Sequence, residues 1–123
     1  MSQPVKIQWF AAPEEHDYPA AQSYLSLIYD DKQAGRFVVQ LRAAPIIQFK
    51  AKDIFRASRL ALLGATNSHV ARSCDKIRAG HQISPILLVR DTVNGNVVIA
   101  DGYHRLCAVY SFDEDALIPA KIV

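Results

Sequence analysis

A chain of 123 residues has the size of one domain, and with 50% hydrophobic and 21% charged residues it is too apolar to stay disordered. Fourteen Lys and Arg against twelve Asp and Glu leave a formal charge of +2, far from the basicity of a protein that coats nucleic acid. Cys74 and Cys107 form no CxxC pair, which argues against a disulfide framework and a four-ligand zinc site.

Val5 to Phe10 alternates apolar and polar residues and predicts a short strand, with Trp9 and Phe10 in the core. Glu14-Glu15-His16-Asp17 gathers metal-ligating residue types at consecutive positions, without the spacing that converges them on an ion, so a solvated loop is expected. Pro19 suits the first turn of a helix running to about Tyr29, with Ala21, Leu25 and Ile28 as its buried stripe. Asp30 and Gln33 have the spacing of a capping box, opening a helix that buries Ala34, Phe37, Val38 and Leu41 and stops at Pro45.

Ile46 to Ala51 predicts a second strand, and Lys52 to Phe55 a short helical turn. Asn67 or Ser68 caps the next helix, in which Val70, Cys74 and Ile77 share one face and Arg72 and Lys76 a solvent face. Gly80 suits its left-handed end. Pro85 to Val89 is a buried strand, Asn94-Gly95 a hairpin signal, and Val97 to Ala100 the returning strand. A helix from about Tyr103 buries Tyr103, Leu106, Cys107 and Tyr110. Ile118 to Val123 closes the chain as a strand, placed at a sheet edge by Pro119. No apolar run approaches the roughly 18 residues of a membrane span, and Met1 to Lys6 lacks a signal peptide's layout, so a cytoplasmic protein without membrane contact is expected. The pattern is α+β: a small mixed sheet flanked by helices, with residues 1–45 as an extension of one strand and two helices packed on a domain of residues 46–123.

The chemistry concentrates at Asp101-Gly102-Tyr103-His104-Arg105, between a strand and a helix. A first helical turn offers unpaired N–H groups and about half a positive charge. Two cations placed there cost a few tenths of a kcal/mol each unless an anion faces them. Gly102 leaves room for a ligand against the backbone. Backbone donors, an Arg fork and an imidazole together make a phosphate or carboxylate cradle. The same residues admit a plain reading: Asp101 as cap, Gly102 as turn, and Arg105 paired with Asp113 or Glu114.

From about Lys50 to the end, the chain resembles the ParB N-terminal domain and sulfiredoxin superfamily. Lys52-Asp53-Ile54-Phe55-Arg56 looks like its opening strand-to-turn segment, and Gly80 through Val89 is similar to its G-x-x-x-x-P-I-x-V arrangement. Ile99 through Ala108 is similar to the signature I-x-D-G-x-H-R-x-x-A, and Ile118 to Val123 resembles the closing strand. The resemblance implies that Gly102, His104 and Arg105 contact nucleotide phosphates, as with ATP in sulfiredoxins, CTP in ParB proteins and adenosine nucleotides in ParB-like free serine kinases. It implies Asp101 as the residue orienting the turn or assisting Mg²⁺, the one metal contact expected.

Two departures narrow the reading. Tyr103 stands where sulfiredoxins carry their catalytic cysteine, and Cys107 lies on the apolar face, so that chemistry is not expected. The sequence ends at Val123 without the DNA-reading and dimerisation segments of partition proteins, so DNA binding by itself is not expected. The expected function is a nucleotide- or phosphate-binding domain. The alternatives are a small ATP- or ADP-dependent phosphotransferase or nucleotide hydrolase, and a DNA-partition-related interaction module. Asp53 is the candidate base, beside Lys50 and Lys52 as phosphate contacts, with His104 as the other catalytic candidate. Asn67 and His69 are candidate cleft-lining residues that equally suit a helix start. The extension is expected to cover the cleft or to supply a homodimer surface.

Overall fold

The computed structural model describes residues 5–123. The elements in chain order are β1 (Gln8–Trp9), α1 (Asp17–Leu25), α2 (Asp31–Ala43), β2 (Ile47–Lys50), α3 (Ala51–Ser58), α4 (Ser68–Arg78), β3 (Gln82–Ile83), β4 (Ile86–Asp91), β5 (Asn96–Asp101), α5 (Tyr103–Phe112) and β6 (Leu117–Ile122). The main sheet has the order β2-β6-β4-β5, while β1 and β3 form a separate parallel pair. β4 runs parallel to β6 and antiparallel to β5, and β2 runs antiparallel to β6. The class is α+β with a mixed sheet. No helix is long and apolar enough to cross a membrane among the described residues.

Helices cover both faces of the sheet, which explains the unbroken apolar run of β4. Ile86, Leu88, Ile99, Ile118 and Ala120 belong to a core shared with α3, α4 and α5. Leu87, Val89, Val98 and Ala100 belong to a second core that holds Ala21 and Leu25 of α1 with Ala34, Val38 and Leu41 of α2. Each fully buried leucine contributes about 1.5–3 kcal/mol relative to an exposed one. The N-terminal helices are therefore one of the three layers of the fold.

Local chemistry sets the boundaries. The Asp30 carboxylate accepts from the Gln33 N–H at 2.8 Å, and Asn67 caps α4 by accepting from His69 and Val70 N–H. Gly80 takes φ +77 just past α4. The β4–β5 hairpin uses the four residues Thr92 to Gly95 rather than a two-residue turn. Only Gly95 is left-handed, and Asp91 accepts from Asn94.

Several expectations are corrected. α1 starts two residues before Pro19 and stops at Leu25, so Ile28 lies beyond it and is exposed instead of buried. The turn at Lys52–Phe55 is a two-turn helix, α3. β6 is central, not at an edge. Its pairing with β4 begins only at Ala120, so Pro119 has a strand partner on the β2 side alone and its missing N–H interrupts no second ladder.

Gly102 is fixed by packing, not by a ligand's need for space. It has φ +107, and an added Cβ would lie 2.9 Å from Ile86 Cβ. Gly102→Ala should therefore destabilise the fold by about 2–5 kcal/mol, combining left-handed strain with overpacking of a rigid strand. Urea denaturation reads this directly, and a loss below about 1 kcal/mol would contradict it.

Candidate functional site

β5 delivers Asp101 and Gly102 to the start of α5, and α4 lies against α5. Among the described residues, no side chain caps the first N–H groups of α5. A cleft of about 230 Å³ opens there, lined on one side by Asp101 to Arg105 and on the other by His69, Arg72, Ser73 and Lys76. The last four recur at helical spacing along one face of α4. Arg72 and Lys76 are exposed, as their spacing predicts, and form a cationic wall opposite the start of α5. Among the described residues neither has a carboxylate within salt-bridge distance.

The rings of His69 and His104 lie 4.8 Å apart, tilted by 34°. Burial, and then the neighbouring His69, hold His104 below the ordinary histidine value. His104 is therefore placed where an anion would stabilise its protonated form. Tyr103 lines the cleft and donates its hydroxyl to the Ala61 carbonyl. A second, more apolar cavity of about 400 Å³ shares Asp101 to His104 and is lined by Ala20, Tyr24, Leu60, Ile99 and Ala100.

Arg105 is held from several sides. Its Nη2 donates to Asp101 Oδ2 at 3.1 Å and to the Pro85 carbonyl at 3.3 Å, and lies 3.5 Å from Asp17 Oδ2. Asp17 is buried and also accepts from Ser84 Oγ, which in turn accepts from the Glu14 N–H at 3.0 Å. Glu14, Glu15 and His16 are exposed loop and turn residues, as expected, and the solvated-loop expectation is corrected at Asp17 alone, which begins α1 and is buried. The plain pairing of Arg105 with Asp113 or Glu114 is corrected as well. Burial pushes the Asp101 carboxyl up, Arg105 opposes this, and Asp17 adds to it.

The remaining candidates are distributed as follows. His69 lines the cleft, whereas Asn67 is spent as the α4 cap. Lys50, Lys52 and Asp53 do not line it. They sit where β2 meets α3, and β2 is three strand positions from β5, about 14 Å away at the usual strand spacing. Lys52 pairs with Asp115 at 2.6 Å, and Asp53 lines a different cavity with Phe49, Leu88 and Ile122. Asp53 is thereby separated from the His104 chemistry it was expected to serve. Asp101 is engaged by Arg105, and among the described residues no three His, Cys, Asp or Glu side chains converge as a metal site. Cys107 is fully buried, and burial pushes its thiol up, as suits a core residue. Comparison with family models, curated proteins and solved structures finds no match to this chain.

Removing the guanidinium leaves two carboxylates facing each other with little water, so Arg105→Ala should cost about 3 kcal/mol, the lower end of the range for breaking a buried pair. Adding Asp17→Asn should recover part of that loss. Equal unfolding midpoints for wild type and Arg105→Ala would contradict the clamp.

Proposed function

We propose that the protein binds a phosphorylated small molecule, in the first instance a nucleotide, with its phosphates in the cleft between α4 and the start of α5. The observation that carries this reading is the convergence of His69, Arg72, Lys76, His104 and Arg105 around an uncapped helix start. Asp101 and Asp17 offset only Arg105. Arg72, Lys76 and the histidine pair therefore supply the attraction, and Arg105 keeps the turn in place. The adjoining 400 Å³ cavity, with Tyr24, Leu60 and Ile99 on its walls, suits the nucleoside part. ATP, ADP and CTP are the first ligands to test. Mg²⁺ would arrive on their phosphates, with Asp101 the one carboxylate at hand. The ParB/sulfiredoxin-like resemblance supports the same choice.

Turnover is the second reading, as a phosphotransferase or nucleotide hydrolase. The observation favouring it is Asp101, a carboxyl at the cleft with its pKa raised by burial, and so a better proton acceptor than an ordinary aspartate. Asp101 replaces Asp53 as the base in that reading, and Asp101→Asn should abolish any product release while nucleotide still binds.

Thermal unfolding with ATP, ADP or CTP, each with and without Mg²⁺, tests binding. At ligand a hundredfold above Kd the fold gains about 2.7 kcal/mol. Arg72→Ala with Lys76→Ala should leave the unliganded protein within about 0.5 kcal/mol of wild type and remove that gain. Full retention of the gain in the double variant would overturn the assignment.

The His104 pKa gives a second test. A histidine whose folded-state value lies below its ordinary 6.5 contributes stability above that value and loses it as pH falls toward the lower one. A bound anion opposes this loss by favouring imidazolium. At constant ionic strength, stabilisation by sulfate should therefore grow as pH falls through 6.5, and the growth should vanish in His104→Gln. A pH-independent sulfate effect would contradict the site.

A further inference from the structure

Among the described residues, β5 is an edge strand with no strand on its outer side. Its sequence, Asn96-Val97-Val98-Ile99-Ala100-Asp101, contains no lysine or proline of the kind that blocks unwanted pairing. The opposite edge strand, β2, ends in Lys50. The β5 edge lies in a groove of about 340 Å³ whose walls include Tyr24 and Ile28 on one side and Ser58, Arg59 and Leu60 on the other. Tyr24, Ile28 and Leu60 are each more than 40% exposed and stand together along this groove. The wall at residues 58–62 is tied at both ends, by Arg59 Nη2 to the Gly95 carbonyl at 3.3 Å and by the Tyr103 hydroxyl to the Ala61 carbonyl. The groove is therefore preformed.

Two unsatisfied features point to what fills it. Asn96 Oδ1, on the groove lining, is buried without a donor. Arg59 is the one non-glycine residue with positive φ among the described residues, a strained helix end at which Gly or Asn is usual. Its exposed guanidinium has no carboxylate partner among the described residues, since Asp91 beside it is engaged by Asn94.

We infer that the β5 edge, from Asn96 to Ile99, takes up an extended segment of a partner protein as an added strand, with apolar side chains against Tyr24, Ile28 and Leu60 and an acidic residue at Arg59. Strand addition pairs the outer side of β5 and supplies N–H donors along the groove. A second copy of this chain is the competing occupant, and self-association through β5 is its signature. The groove shares Tyr24, Leu60 and Ile99 with the cavity assigned to the nucleoside, but strand addition does not require that a nucleotide binds.

The probe is a fluorescein-labelled peptide, Glu-Glu-Val-Thr-Val-Thr-Val-Glu-Glu, followed by polarisation against the full chain. Saturable binding is expected, and N-methylation of the three valines should abolish it. Arg59→Gly relieves the strained φ, so it should keep or raise the unfolding midpoint while weakening the peptide at least about tenfold. Ile28→Glu should weaken it similarly, and both variants should retain the sulfate response of the α5 cleft. Absence of binding, equal binding of the N-methylated peptide, unchanged affinity in both variants, or self-association of the chain through β5 would each overturn the inference.

Discussion

Arg105 sits where three parts of the molecule meet: the start of α5, the Pro85 carbonyl leading into β4, and Asp17 at the start of α1. Charges this poorly hydrated are tolerated only when paired and hydrogen-bonded. Asp17 in turn takes the Ser84 hydroxyl, and Ser84 takes the Glu14 N–H, so one short network fixes the entry to α1 against the site. This network ties the start of α1 to the start of α5 beside the cleft.

The same network decides which cations remain available to a ligand. A guanidinium shared by two carboxylates offers little net charge, so Arg105 orients and α4 attracts. Arg72 and Lys76 owe their direction to the burial of Val70, Cys74 and Ile77 on the opposite face of α4. Packing of an ordinary amphipathic helix thus aims its polar face at the uncapped start of α5. Gly102 completes the arrangement by letting the turn pass close to Ile86.

Much of this was legible in the sequence, because the signals were local. The apolar run of Ile86 to Val89, the return at Val97 to Ala100 and the helix after Gly102 follow from alternation and turn chemistry, and Asn67 from its capping position. What was illegible depended on distant partners. Asp17 is buried by contact with Ser84 and Arg105, 67 and 88 residues along the chain, and no local spacing announces that. Pro119 marks an edge by propensity, but the register with β4 lets a central strand accept it. Arg72 and Lys76 were seen to share a face, yet what that face meets is set by α5. Asp53 was grouped with the site by its place in a family pattern, whereas the order β2-β6-β4-β5 separates them.

Amide chemical shifts in ¹⁵N-labelled protein titrated with ATP test the central claim at the residues concerned. The account predicts that the largest saturable changes fall on the backbone N–H groups of Tyr103, His104 and Arg105 and on the α4 stretch from His69 to Lys76. Changes confined to the β2–α3 junction, or none at all, would contradict it.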